Sequence, residues 1–179
     1  MGAIWSYFFG DLDTVDPATG LTQRQKNAIK NSWDLVAEDA KGNGIVFYMR
    51  LFDEYPDYQK LFPKGISNKT KEELPGSIRM KAQAAKTMMA LNNYVANLND
   101  PAVLVVMLKD LARSHLAFGV GKEHFTNVKS PLMWALETAL GAERFNEFTQ
   151  NAWSSVIDVI ISVVCQTVDD IEAGKESDE

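Results

Sequence analysis

An all-α fold is what this sequence predicts, and three observations predict it. Apolar residues recur at spacings of three and four through most of the chain. No stretch alternates with the period of two that a half-buried strand needs. Capping residues, prolines and glycines fall where the periodic runs begin and end. With 179 residues, 46% of them hydrophobic, there is enough material for one domain with a sizeable core.

The opening does not share this pattern. Ile4, Trp5, Tyr7, Phe8 and Phe9 form an apolar cluster, and a turn-rich acidic linker, DLDTVDPATG, follows. Residues 1–20 therefore read as an extension, 21–171 as the helical domain and 172–179 as an acidic, disordered tail. Met1-Gly2-Ala3-Ile4-Trp5-Ser6 fits the pattern for myristoylation of Gly2, the alternative being an aromatic tail packed on the domain. One acyl chain gives weak, reversible membrane contact.

Thr22-Gln23-Arg24-Gln25 is a capping box, so the first helix runs from about Thr22 to Ala40 with Ile29, Trp33, Leu35 and Val36 on its apolar face. The run Lys41-Gly42-Asn43-Gly44 is expected to break the chain. The second helix, about Ile45 to Glu54, turns Ile45, Tyr48, Met49 and Phe52 inward and stops before Pro56. Residues 63–76, polar with Pro75 and Gly76, read as a mobile surface loop. The next helix spans about Ser77 to Leu98 on the stripe Met80, Ala84, Met88, Leu91, Val95 and Leu98. Gln83 and Thr87 fall within that stripe, where a plain core helix would carry Leu or Val.

Asp100, Pro101 and Gly119 delimit a helix whose apolar face holds Val103, Leu104, Met107, Leu108, Leu111 and His115. A helix from about Lys122 to Leu140 should kink at Pro131. The last helix, about Ala142 to Ile171, places Phe145, Phe148, Ala152, Trp153, Val156, Ile160 and Val164 on one face.

Composition narrows function. The net charge of −6 and the absence of a basic cluster interleaved with aromatics argue against nucleic acid. A single cysteine, Cys165, excludes an internal disulfide and a multi-cysteine metal site, and fits a reducing, cytoplasmic setting. No run is long and apolar enough to span a membrane. Asn68-Lys69-Thr70 matches a glycosylation acceptor but lacks a secretory signal. No phosphate loop, zinc pair or nucleophile pattern is present. His115 remains, projecting from an apolar face, either as a satisfied core histidine or as a metal ligand.

Trp33, Leu51-Phe52 with Pro56, Phe62, Lys81-Ala82-Gln83 through Leu91, Leu111 through Ser114-His115, and Trp153 resemble, in order and spacing, a globin, from about Leu21 to Ile171. The resemblance implies seven to eight helices around haem b, with His115 as the proximal iron ligand and Phe62 against the porphyrin. It makes Ser114 and the Leu111 carbonyl candidates to accept from the imidazole's other N–H. Val120, Phe125 and Val128 would line the haem edge, and Lys86 would meet a propionate. On the distal side Gln83, Thr87 and Tyr48 stand where many globins carry His, Val and Leu or Phe. His124, on the helix after the proximal one, reads as a surface residue. The implied function is reversible binding of dioxygen or other diatomic ligands. The alternatives are a haem enzyme, such as a nitric oxide dioxygenase or peroxidase-like globin, and a membrane-associated redox signalling globin, cytoplasmic with some peripheral attachment.

Overall fold

The computed structural model describes residues 12–175. The aromatic cluster, the Gly2 candidate and the last four residues of the tail lie outside them. Seven α-helices and two short 3-10 turns make up the described residues, with no strand among them: α1 (Gln23–Ala37), α2 (Ala40–Glu54), α3 (Ile78–Ala96), α4 (Pro101–Leu116), α5 (Lys122–Asn127), α6 (Lys129–Arg144) and α7 (Glu147–Glu172).

The caps behave as their chemistry requires. Thr22 and Gln25 form the reciprocal box on α1, Ser77 accepts from Met80 N at the start of α3, and Asp100 accepts from Val103 N with Pro101 in the first turn of α4. Ahead of α1, residues 12–22 fold back on the helix. Val15 bridges Thr22, Arg24 N donates to the Leu12 carbonyl, the Arg24 guanidinium forks onto Asp13, and the buried Lys26 ammonium donates to Asp16.

The core joins α1, α3 and α7. Trp33 and Trp153 meet with ring centroids 5.9 Å apart. Both indoles donate, to Asn92 Oδ1 at 3.0 Å and to Ser32 Oγ at 2.9 Å, so neither buried N–H is left unsatisfied.

Several expectations are corrected. The Lys41–Gly44 run does not interrupt the helix: Asp39 caps α2 by accepting from Gly42 N, and the Asn43 amide closes α1 by donating to the Val36 carbonyl at 2.8 Å. Gly44 is instead a crossing point, where a Cβ would sit 2.9 Å from Met88 Cγ and 3.0 Å from the Ala84 carbonyl oxygen. Residues 63–76 are pinned, not loose. Ile66 and Leu74 are each 1% exposed, and the Gln59 amide donates to the Ile66 and Lys69 carbonyls.

Pro131 produces no kink, because the chain breaks earlier, at Val128, and leaves the proline in the first turn of α6 where its missing N–H has no helical acceptor to lose. Gly141, at φ 71°, ends the regular part of α6. The last helix begins later than its apolar run suggests, at Glu147, capped by Asn146. Val103 and Phe148 face outward, 42% and 45% exposed, while Ile45 and Met49 are only half-buried.

Candidate functional site

The position of Tyr48 follows from the α2–α3 crossing. Gly44 lets α3 approach closely, and one turn further on the Tyr48 ring packs between Phe47, Phe52 and Phe62, its centroid 5.5 Å from that of Phe62. Only 5% of Tyr48 is exposed. Its hydroxyl accepts from Gln83 Nε2 at 3.0 Å and pairs with the Thr87 hydroxyl at 2.7 Å. Three polar side chains from two helices thus share one hydrogen-bonded cluster beside apolar rings. Burial raises the Tyr48 phenol above its ordinary range, with the bonds from Thr87 and Gln83 pulling it back, so it is a neutral O–H donor at physiological pH. Thr87 spends its hydroxyl on Tyr48, which joins it to the distal cluster.

On the opposite side, α4 ends in a tight motif. Gly119, at φ 76°, lets Val120 N reach back to the His115 carbonyl at 3.2 Å and places its own N–H on Leu116 O at 3.0 Å. His115 is fixed between these bonds and its own. Its Nδ1 lies 2.9 Å from the Leu111 carbonyl and 3.4 Å from Ser114 Oγ. The nearer contact fixes the tautomer, since a carbonyl can only accept: Nδ1 carries the proton and Nε2 keeps its lone pair. Ser114 is a poor acceptor here because it donates its own proton to Leu111 O at 2.9 Å. Burial holds the imidazole below its usual pKa, against the carbonyl bond that raises it, so the ring is neutral and able to ligate. Phe125 flanks it at 5.3 Å.

Although consecutive, α3 and α4 do not pack along each other. The first leans on α2 and the second on α7. The apolar residues Phe62, Leu91, Met107, Leu111, Phe125 and Val128 are only partly buried by the core. A neutral, tethered imidazole, half-covered apolar side chains and an exposed Lys86 on α3 fit a flat apolar group bearing carboxylates and a metal. Among the described residues no three His, Cys, Asp or Glu side chains gather as a metal cage.

His124 is not a plain surface residue. It is half-buried, stacks on Tyr58 at 4.6 Å and accepts from Gly121 N at its Nδ1, while Asn127 donates to the Tyr58 hydroxyl. Nothing in its spacing could have signalled this, because Tyr58 comes from the distant 3-10 turn Pro56–Leu61.

The family model described as Globin matches residues 45–164. A globin of Nerita albicilla is 30% identical over 84% of this chain and 94% of its own length, and Hemoglobin-3 of Phacoides pectinatus is 34% identical over 82% and 94%. A solved structure of a hexacoordinated haem protein from an anhydrobiotic tardigrade superposes with a TM-score of 0.80 at 24% identity, covering 86% of this chain and 99% of that one. A matched profile over two thirds of the chain and relatives covered almost end to end leave one conclusion: the chain belongs to the globin family.

Proposed function

We propose that this protein binds haem b through His115 and reversibly binds dioxygen, with Tyr48 and Gln83 as the hydrogen-bond donors of the ligand pocket. Haem supplies the ferrous iron to which a diatomic ligand attaches. The chain's residues do the rest: His115 Nε2 ligates, the Leu111 carbonyl orients the ring, and Phe62, Val120, Phe125 and Val128 cover the porphyrin, with Lys86 toward a propionate.

The observation that carries the reading is the Tyr48–Gln83–Thr87 cluster, two potential donors held in an apolar, water-poor setting. Dioxygen takes on negative charge when it binds, and donors in low dielectric stabilise that charge more than they stabilise carbon monoxide. When Tyr48 turns its proton toward the ligand, the Thr87 hydroxyl can donate to the Tyr48 oxygen, so no polar atom of the cluster is left without a partner. The reading extends to the chain's start, where Gly2 carries a myristoyl group and the protein is cytoplasmic, in part at the membrane surface.

The purified protein should show a five-coordinate spectrum when reduced, because the amide at Gln83 is a poor iron ligand. His115→Ala should lose it. Each distal bond contributes about 0.5–1.5 kcal/mol, so Tyr48→Phe and Gln83→Leu should each speed oxygen release by roughly two- to tenfold in stopped flow, with carbon monoxide little affected. Parent-like oxygen release in both variants would remove the distal half of the proposal. Sustained turnover of nitric oxide with an added reductant would point to the enzyme reading instead.

A further inference from the structure

The charge of this acidic protein is not evenly spread. Residues 60–86 hold seven lysines and arginines against two glutamates, in a chain whose net charge is −6. Three of those cations are neutralised locally, Lys60 by Asp57, Lys69 by Glu73 and Lys71 by Asp53. Lys64, Arg79, Lys81 and Lys86 are exposed and form no ion pair or hydrogen bond among the described residues. The fold brings Lys64 to the helix. The Ser77 hydroxyl donates to the Gly65 carbonyl, and the Arg79 stem lies over Gly65, where a Cβ would be 2.7 Å from Arg79 Cγ.

The helix itself adds a second feature. α3 contains no aspartate or glutamate, and its outward face carries Ile78, Ala82, Ala85 and Met89 at spacings of four, three and four. Ile78 is 84% exposed, the most of any large apolar residue described, and Met89 is 65% exposed. An apolar stripe with protruding ends, flanked by long-stemmed cations, is the composition of an interfacial helix face. Both acids of the segment, Glu72 and Glu73, lie outside the helix.

We propose that the α3 face and the adjoining Lys64 turn are the surface by which the domain lies on an anionic lipid leaflet. Ile78 and Met89 enter the headgroup boundary, and Lys64, Arg79 and Lys81 sit among the headgroup charges, Lys86 being kept for the haem propionate. A lipid surface suits this patch better than an acidic protein. The apolar residues stand out from a convex helix instead of lining a groove, and two of the three cations are lysines, point charges that need no fixed partner geometry. The inference bears on the reading of the chain's start, because one acyl chain anchors stably only with a second signal, and a polybasic patch is one such signal.

The test is cosedimentation of the full-length haem protein, expressed without acylation, with vesicles of phosphatidylcholine alone and of phosphatidylcholine and phosphatidylserine in equal parts. Binding is expected only to the second, weakening as salt rises. Each cation near an anionic surface is worth about fivefold in affinity, so Lys64→Glu with Lys81→Glu should lower binding at least tenfold. Lys30→Glu with Lys175→Glu, the same charge change on other elements, should not. Ile78→Ser should weaken binding with the charges intact. Equal binding to neutral vesicles, or parent-like binding by the Lys64/Lys81 variant, overturns the proposal, as does capture by polyglutamate without capture by any vesicle. The acylation reading fails separately: in acylated protein, Gly2→Ala should lower binding to neutral and anionic vesicles alike, whereas the charge variant lowers only the anionic part.

Discussion

Asp16 illustrates how much one residue ahead of the first helix can decide. The Lys26 ammonium, the Ala18 N–H and the Thr19 hydroxyl all donate to its carboxylate, and its pKa falls from the ordinary 3.8 to about 2. A carboxyl whose pKa is lowered by folding stabilises the fold above its unfolded pKa, and that contribution fades as the pH drops through the folded value. The urea midpoint of the parent should therefore fall as pH is lowered from about 4 toward 2, and Asp16→Asn should lack that part of the slope. At higher pH the same variant should be less stable, because Lys26, whose side chain is only 5% exposed, loses its counter-charge. A parent and variant with parallel pH profiles would show that the pair contributes nothing.

At the scale of elements, the crossing of α2 and α3 governs the distal cluster. Gly44→Ala drives a methyl against the Ala84 carbonyl, which cannot swing away, so the helices must part. Overpacking of this kind costs about 1–3 kcal/mol, and Tyr48, one turn on, should lose its reach to Gln83 and Thr87. The expected result is a lower denaturant midpoint together with faster oxygen release. Loss of stability with unchanged release would separate the crossing from the pocket.

This crossing also marks the border of what could be read in the sequence. Helices announced themselves through local chemistry: the Thr22 box, Ser77, and Asp100 with Pro101 all act within one turn of their own positions. The apolar register that turned His115, Gln83 and Thr87 toward the interior is local too. Gly44 looked like a breaker because its reason lies on another helix. Pro131 marks an interruption, since it cannot donate to the Asn127 carbonyl, but the sequence does not say that the break falls at Val128 and leaves the proline in the first turn of α6. Val103 and Phe148 belong to their apolar runs yet face outward, since a run wider than the buried stripe must expose its margin. Lys64 is separated from Arg79 and Lys81 by the loop, and only the fold brings it beside them.

For the molecule as a whole, the segment between Pro63 and Gly76 is part of the core. Ile66→Ala or Leu74→Ala should each cost about 2–5 kcal/mol, as in a central helix, and the measurement is equilibrium unfolding. Proteolysis within the segment should then track global unfolding instead of preceding it. A cost near zero would mean that the segment opens on its own.

The clamp between residues 12–22 and α1 has a mechanical meaning. If the chain's first residues were held at a bilayer, as proposed above, tension would enter the domain through Leu12, Asp13 and Asp16, whose bonds to Arg24 and Lys26 all join one short stretch to one helix. From α1 the pull passes through Trp33 and Ser32 into α3 and α7. The bonds that hold His115 to Leu111 and Val120 are not on that route. Because α4 leans on α7, such a pull would reach the His115 helix only through that packing, and not through the bonds that His115 itself makes to Leu111 and Val120.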